Sequence, residues 1–254
     1  MNVVPVNDAP TIVGNGTTVS GSITEAAGIT GLATHDTVTG VIAFNDVDIA
    51  DTHVASSVLK SSTFSGGTLS PDQVAALSNA FSLGTLVDTT LTVRGGTQAW
   101  SFSVADSTFD FLVAGQTIIA VYTVTVDDGH GGTVAEDVKV TVTGSNDPPV
   151  LATPTVANYT DTSANDTFTA SSGTLAGSDG DSGQTLSYGI SGVTASGGSS
   201  TKVGSYGTLV VTTSTGVYTF TPNATAINVL QAGSNPSDSV TVTVSDGTST
   251  TTAT

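Results

Sequence analysis

The chain contains no cysteine, one tryptophan and only four basic residues among 254. Without cysteine, neither a disulfide framework nor a thiolate zinc site is available. The scarcity of lysine and arginine argues against nucleic-acid binding, which needs basic patches to displace counterions. No apolar run approaches the ~20 residues of a membrane-spanning helix, which argues against membrane insertion. The N-terminus lacks the basic start and apolar core of an export signal, so we expect any such signal to lie outside this sequence.

Acidic residues are abundant by contrast: 21 of them, 19 being aspartate, give a formal net charge of −17 at pH 7. An Asp-X-Asp pair occurs twice, as Asp46/Asp48 and as Asp179/Asp181. Crowded carboxylates repel one another unless a cation lies among them. Because short oxygen ligands suit Ca²⁺, the sequence predicts calcium as the cofactor.

The local pattern predicts an all-β fold. Threonine and valine alternate in 122–126, 138–142 and 240–244, which is the period of half-buried strands. Many short strands and 29 glycines favour antiparallel sandwiches of the immunoglobulin or cadherin type over an α/β fold.

The two halves of the chain are related to each other. A shift of 118 positions places Trp100 on Tyr218 and Phe102 on Phe220, which indicates an internal repeat. Proline-containing segments open both copies, at 7–10 and 146–149. We therefore expect one domain over residues 1–147 and a second over 148–254. The last strand of the second domain is expected to continue to the end of the sequence.

The first copy carries an insertion between Asp51 and Trp100, because the Asp-X-Asp pairs match at a shift of 133 rather than 118. This insertion includes the one helical segment that the sequence predicts. Ser70 is a suitable N-cap and Pro71 suits the first helical position, while Val74, Leu77 and Phe81 are expected to share a face. We expect that face to pack against the sandwich.

Several motifs resemble the VCBS-type and cadherin-like repeats of large bacterial adhesins of the RTX class, which are exported by type I secretion. In the first copy these motifs lie at 40–48, 102–106, 122–132 and 144–149, and in the second at 216–220, 229–233 and 244–247. The resemblance implies immunoglobulin-like sandwiches, calcium at the junctions between repeats, and a place outside the cell or on its surface. The second copy departs from the pattern with Gln184 and Ser245, in place of the acids at Asp51 and Asp127, so metal sites there are expected to be fewer or weaker.

The direction of the strands sorts the candidate ligands by the end of the domain at which they lie. Calcium takes about six to eight oxygen ligands. One site is predicted where the chain enters the first copy, and we expect it to be incomplete: Asn7, Asp8, Asp46, Asp48, Asp51 and Asp128. A second is predicted at the junction: Glu25, Asp106, Asn146, Asp147, Asp179, Asp181 and Asp246.

A structural interpretation stays open for some of these residues. Asp-Gly pairs are common in ordinary turns, and Asp106 could cap a helical turn instead of binding metal. Glu25 and Asp110 are weaker candidate ligands. Trp100 alternates with Phe102 along one strand face, which predicts core packing. His35, His53 and His130 lie in polar segments without the spacing of a zinc site, and the acids lack the apolar surroundings of a glycosidase acid. The sequence therefore predicts no enzymatic activity.

The favoured interpretation is a pair of calcium-rigidified extender repeats from a secreted bacterial surface adhesin that acts in cell adhesion and biofilm formation. Its expected partners are neighbouring repeats of the same polypeptide and a ligand on a host or biofilm surface, and the protein is expected to be a monomer. One alternative is a glycan- or peptide-binding module of the adhesin's tip, which would use the insertion after Asp51 or the loops at 191–200. Another is an accessory spacer of a secreted hydrolase.

Overall fold

The computed structural model describes residues 1–2, 4–88 and 94–254, so that 89–93 of the insertion lie outside the described residues. The chain divides into two compact units, unit 1 (Met1–Asn146) and unit 2 (Asp147–Thr254). The described residues form strands with only short helical segments between them, which confirms the all-β prediction.

Unit 1 consists of two four-stranded sheets. One has the order β1 (Thr11–Ile12), β3 (His35–Asn45), β6 (Gly96–Ala105) and β5 (Phe81–Val87), and the other β2 (Ser20–Thr24), β8 (Thr133–Thr143), β7 (Thr117–Asp127) and β4 (Val54–Phe64). The N-terminal segment contributes β1 to the first sheet and then crosses to the second. There β2 runs parallel to β8, with Ser20 opposite Lys139. The prediction of antiparallel strands therefore does not hold for this one pair, in which β2 and β8 run in the same direction.

The core of unit 1 lies between the two sheets. Trp100 and Phe102 on β6 are buried, as predicted, and so are Tyr122 on β7 and Phe81 on β5. The Phe81 ring stacks against both Trp100 and Tyr122: its centroid lies 5.6 Å from that of Trp100 and 4.2 Å from that of Tyr122. Such aromatic contacts add to the free energy of burial. Unit 1 thus holds its sheets together with a three-ring stack.

Helix α1 (Pro71–Ala80) begins as predicted, with a capping box in which Ser70 and Gln73 satisfy each other's backbone N–H groups. Its residue Leu77 is fully buried and its carbonyl accepts a 2.8 Å hydrogen bond from the Tyr122 hydroxyl. The prediction for Phe81 was wrong, because this residue has extended backbone and begins β5. The prediction of a single helical segment was wrong too, since a 3₁₀ turn, η1 (Asp106–Thr108), and a short helix, α2 (Ala224–Ile227), are also present.

Unit 2 repeats the sandwich with shorter strands. Its sheets are β10 (Ser171–Thr174), β15 (Val217–Pro222), β14 (Gly207–Thr212) and β13 (Ser199–Val203); β12 (Ser187–Ile190), β16 (Val242–Ser245) and β17 (Thr250–Ala253); and the pair β11 (Gly177–Ser178) with β9 (Val150–Leu151). The strand predicted at 240–244 begins only at Val242. The core of unit 2 consists of buried aliphatic side chains, among them Ile190, Val211 and Val244.

Candidate metal centres

The Glu25 cluster consists of Glu25, Asp106 and Asp110 in unit 1, whose nearest ligand oxygens all lie within 4.8 Å of one another. Glu25 follows β2, and its backbone N–H continues the pairing by donating to the Thr143 carbonyl at 2.9 Å. Its carboxylate accepts from the backbone N–H of Ser145 at 2.7 Å. The cluster therefore lies where β8 ends and the chain leaves unit 1, as the strand directions predicted for Glu25.

Asp106 is completely buried at the start of the 3₁₀ turn. Its Oδ1 accepts from the Ala26 N–H at 2.7 Å, while no donor among the described residues reaches its buried Oδ2. The turn's cap residue is Ala105, without a side-chain capping bond. The interpretation of Asp106 as a helix cap is therefore wrong, and its second oxygen is available to a ligand.

Asp110 and Asp36 extend this acidic environment. Oδ2 of Asp110 accepts from the Gly31 N–H at 2.7 Å, and its buried Oδ1 likewise meets no donor in the described part of the chain. Asp36 lies beside Asp106, and burial together with that neighbouring carboxylate raises the pKa of Asp36. Converging carboxylates with oxygens that no N–H satisfies are costly unless protons or a cation compensate them.

The Asp46 cluster, in the loop after β3, consists of Asp46, Asp48 and Asp51, with ligand oxygens again within 4.8 Å. Asp46 is buried, and its Oδ1 accepts from the Asp48 N–H at 2.8 Å. The loop is closed further by a 3.0 Å bond from the Asp51 N–H to the Asp48 carbonyl. The Asp-X-Asp spacing predicted from sequence therefore does bring its carboxylates together.

His53 lies next to this cluster and is buried, although the sequence placed it in a polar segment. It is buried against Phe44 between two carboxylates, with Nδ1 2.7 Å from Asp88 Oδ1 and Nε2 3.1 Å from Asp46 Oδ2. Burial, the largest influence, lowers the pKa of His53, but the hydrogen bonds to Asp46 and Asp88 outweigh it and the net pKa is raised. The imidazolium form therefore helps to hold Asp46 in place.

The other residues predicted for this site have structural partners. Both oxygens of Asp128 accept hydrogen bonds: Oδ2 from the Asn7 amide at 2.9 Å, and Oδ1 from the N–H groups of His130 and Gly132. The Asn7 hydrogen bond, partly opposed by burial, lowers the pKa of Asp128. Asp8 is exposed and contributes its N–H to Asp48 Oδ2 at 2.7 Å. These residues tie the N-terminal segment to the cluster.

The Asp181 cluster in unit 2 consists of Asp147, Asp179, Asp181 and Asp246. Asp147, Asp181 and Asp246 are buried, and Asn146, the preceding residue, is half-buried. The Asp147 N–H donates to Asp181 Oδ2 at 3.0 Å, and the Asp181 N–H donates to Asp179 Oδ1, also at 3.0 Å. Asp246 accepts from Thr248 and Ser249 at 2.6 Å. Three distant parts of the sequence thus meet at one end of unit 2.

Electrostatics mark Asp181 as the centre of this cluster. Burial raises its pKa to about 6, against the opposing effect of the Asp147 N–H and with the added repulsion of Asp179, Asp147 and Asp246. Burial is also the main reason that the pKa of Asp179 is raised. Oδ1 of Asp181 and Oδ2 of Asp179 are buried, and no donor within unit 2 reaches either of them. A cation would relieve this strain.

Sequence reasoning singled out neither Asp36 nor Asp88 and did not foresee the burial of His53. The register of β3 against β6 pairs Asp36 with Val104, two residues before Asp106, so a correct strand alignment would have found Asp36. Asp88 follows β5 and reaches His53 only through the fold. The side chains of the Glu25 and Asp181 clusters offer carboxylate oxygens as ligand atoms, and such ligands fit the hard cation Ca²⁺.

No protein-family model and no curated protein matches the chain. Solved structures of cadherin repeats align with nearly all of it at low similarity. Protocadherin Gamma B2 extracellular cadherin domains 3-6 are 18% identical over 98% of this chain and 50% of that one, with a TM-score of 0.33. EC22-24 of mouse Cadherin-23 are 12% identical over 98% and 65%, with a TM-score of 0.36. Zebrafish RET cadherin-like domains 1 to 4 are 12% identical over 97% and 51%, with a TM-score of 0.32.

The chain spans about two thirds or less of the length of these structures. Its all-β sandwich class follows from its own strand pairing, described above. Among the described residues, no helix is both long and apolar enough to cross a membrane.

Proposed function

We propose that the chain is a pair of tandem extender repeats of a secreted bacterial surface adhesin, stiffened by calcium at their junction. The observation that carries this proposal is the burial of acidic groups whose oxygens lack N–H partners, above all Asp106 Oδ2 in unit 1 and Asp181 Oδ1 in unit 2. Burying such oxygens is costly, and a bound cation would offset that cost without requiring the carboxylates to be protonated. The adhesin class, the extracellular location and the role in biofilm rest on the motif resemblance.

The path of the chain links the two acidic clusters. Ser145 binds the Glu25 carboxylate, and Asp147 binds Asp181. These two anchoring residues are separated in the sequence only by Asn146. We propose that calcium binds at both clusters, the Glu25 cluster of unit 1 and the Asp181 cluster of unit 2.

Calcium at these clusters would act on both stability and stiffness. Extracellular modules bind calcium with dissociation constants of ~0.1 to 1 mM. At ten times that concentration each site stabilises its domain by about 1.4 kcal/mol through mass action. Once the ion is removed, the neighbouring carboxylates repel one another and the linker regains its freedom. The partners of the repeats would then be adjoining repeats of the same polypeptide.

The test combines calorimetry with small-angle X-ray scattering, in calcium and after chelation. We expect calcium to raise the melting temperature and to narrow the distribution of distances between the units, and we expect magnesium at equal concentration to do much less. A melting curve and a scattering profile that chelation leaves unchanged would overturn the proposal. Calcium stabilisation without any change in scattering would keep the metal sites and exclude the stiffening role.

A further inference from the structure

Unit 2, whose residues are all described, contains a groove of about 1180 Å³. Two segments that are neither helix nor strand form its flanks, residues 154–164 and 230–240. Apolar side chains of the core, among them Leu175 and Val242, lie beneath it. The groove is separate from the Asp181 cluster, none of whose members lines it.

The internal repeat shows what occupies this place in unit 1. A shift of 118 positions puts β7 on residues 235–245, and a shift of 139, which aligns the two Asn-Asp openings, puts β2 on residues 159–163. In unit 1, β7 and β2 lie on either side of β8. Residues 235–240 and 159–163 both line the groove of unit 2. The groove therefore lies between the same two segments as β8 does in unit 1.

Strand β17 is the counterpart of β8 but matches only its first part. In unit 1 the Thr123 hydroxyl donates to Asp137 Oδ1 at 2.7 Å, and at the corresponding pair of unit 2 the hydroxyls of Thr241 and Thr254 lie 3.1 Å apart. The register of the hairpin is therefore the same as far as Thr254. The next six residues of β8, 138–143, pair with residues 117–122 of β7 and have no counterpart among the strands of unit 2.

The size of the groove fits a piece of strand of this length. Strands rise about 3.3 Å per residue, lie about 4.8 Å apart and pack about 10 Å from the facing sheet, so six residues occupy on the order of 1000 Å³. In unit 1 the side chains of Val138, Val140 and Val142 are completely buried in the core. The groove of unit 2 has room for a backbone together with such side chains.

Val240 offers backbone groups to a strand in the groove. The Thr241 carbonyl accepts from the Ser191 N–H at 2.9 Å, on the side of β12. Since neighbouring residues of a strand direct their N–H and C=O groups to opposite sides, those of Val240 face the side of β17 and the groove. No strand in the described part of the chain pairs with residues 235–240 on that side. Such an open row of backbone groups is a template for an added strand.

From the register, the flanks and the size we propose that unit 2 binds one further extended strand in this groove, supplied by a polypeptide segment other than residues 1–254. The strand runs in line with β17 and antiparallel to residues 235–240, and it carries branched aliphatic side chains at alternate positions, as residues 138–143 do. Asp161 and Asp238 line the groove, whereas no lysine or arginine does. A strand with a basic residue is therefore favoured over an acidic one. This site is distinct from calcium binding at the acidic clusters.

The test appends the sequence of residues 138–143, Val-Lys-Val-Thr-Val-Thr, directly to Thr254 of the full chain. Covalent linkage gives even a weakly binding strand a high effective concentration at the groove. We expect the melting temperature of unit 2 to rise by at least about 5 °C, because three valines become buried. Amide exchange of residues 235–240 and 159–163 should slow at least about tenfold, while that of unit 1 stays unchanged. Calorimetry and hydrogen exchange measured by mass spectrometry follow the two effects.

Two matched extensions test which face of the added strand binds. Asparagine in place of the three valines should abolish both effects. Asparagine in place of the lysine and the two threonines, whose counterparts in unit 1 are not buried, should keep most of them. Equal behaviour of these two extensions, or no stabilisation by the original one, would overturn the proposal. So would slow exchange of residues 235–240 in the unextended chain together with a doubled mass in solution scattering, which would place a second copy in the groove.

Discussion

Ser145 holds Glu25 by two hydrogen bonds: its N–H donates to Oε2 at 2.7 Å, and its hydroxyl donates to the Glu25 carbonyl at 2.8 Å. The residue that follows β2 is thereby fastened to a residue two positions beyond the end of β8. The same carboxylate belongs to a candidate calcium site, so its structural and metal-binding roles can be separated by substitution.

Glu25→Gln keeps an oxygen that can accept from Ser145 but removes the negative charge. We expect it to melt in chelator within a few degrees of the wild type and to lose most of the stabilisation by calcium. Glu25→Ala loses both the acceptor oxygen and the negative charge. Its free energy of unfolding should be lower by about 1 to 3 kcal/mol even without calcium. Calorimetry of both variants with and without calcium checks this. Equal calcium responses in Glu25→Gln and the wild type would contradict the assignment.

The effect of Asp106→Asn on the stability of unit 1 should have opposite signs with and without calcium. In chelator the substitution removes repulsion between Asp106 and its neighbours Asp36 and Asp110, so unit 1 should be as stable as the wild type or more stable. In calcium the variant loses a ligand and should be less stable by about 1 to 2 kcal/mol. Asp72→Asn, in the exposed first turn of α1, is the matched control and should show no such crossing. Destabilisation of Asp106→Asn in both buffers would argue for a purely structural role.

His53 predicts a pH dependence for unit 1. Because its folded-state pKa is raised above 6.5, its contribution is complete below pH 6.5 and is lost as the pH rises through the folded value. His53→Gln leaves Asp46 and Asp88 without a cationic partner and should cost about 3 kcal/mol at pH 6. Denaturation of unit 1 in chelator at pH 6 and at pH 9 should show the difference between the variant and the wild type shrinking. A constant difference would show that His53 does not change its protonation state between pH 6 and pH 9 in the folded protein.

Phe81 tests the ring stack. Phe81→Ala removes the ring that lies between Trp100 and Tyr122 and should destabilise unit 1 by about 3 to 5 kcal/mol. Leu209 of unit 2 lies opposite Phe220 as Phe81 lies opposite Phe102, but it is only half-buried, so Leu209→Ala should cost less than Phe81→Ala. Two-step thermal unfolding of the full chain measures both. Similar losses for the two variants would show that the ring stack contributes nothing beyond the burial of a single aliphatic side chain.

Local sequence signals sufficed for several elements. Alternation over 122–126 and 138–142 located β7 and β8, and the Ser70-Pro71 pair located the start of α1. The end of that helix could not be predicted from periodicity, because Phe81 fits the helical face and is extended only through its pairing with Phe102. The short α2 was missed since four residues carry almost no periodic signal.

The residues of the candidate sites likewise fall into those that local sequence signals predicted and those that they did not. Asp-X-Asp spacing is a local signal, and the structure does bring Asp46 and Asp48 together. Asp36 and His53 were missed because their partners, Asp106 and Asp88, are supplied by other strands and loops.

The parallel pairing of β2 with β8 has a mechanical consequence. Tension applied to the two ends of unit 1 pulls these strands in opposite directions along their length, so that the backbone bonds between Ser20–Thr24 and the end of β8 are loaded in shear and must break together. Every hydrogen-bonded strand pair in unit 2 is antiparallel. Its strand β17 packs against β9 but is hydrogen-bonded to β16 alone. A pulled molecule should therefore yield first in unit 2, which would act as the extensible element of the pair while unit 1 bears the load.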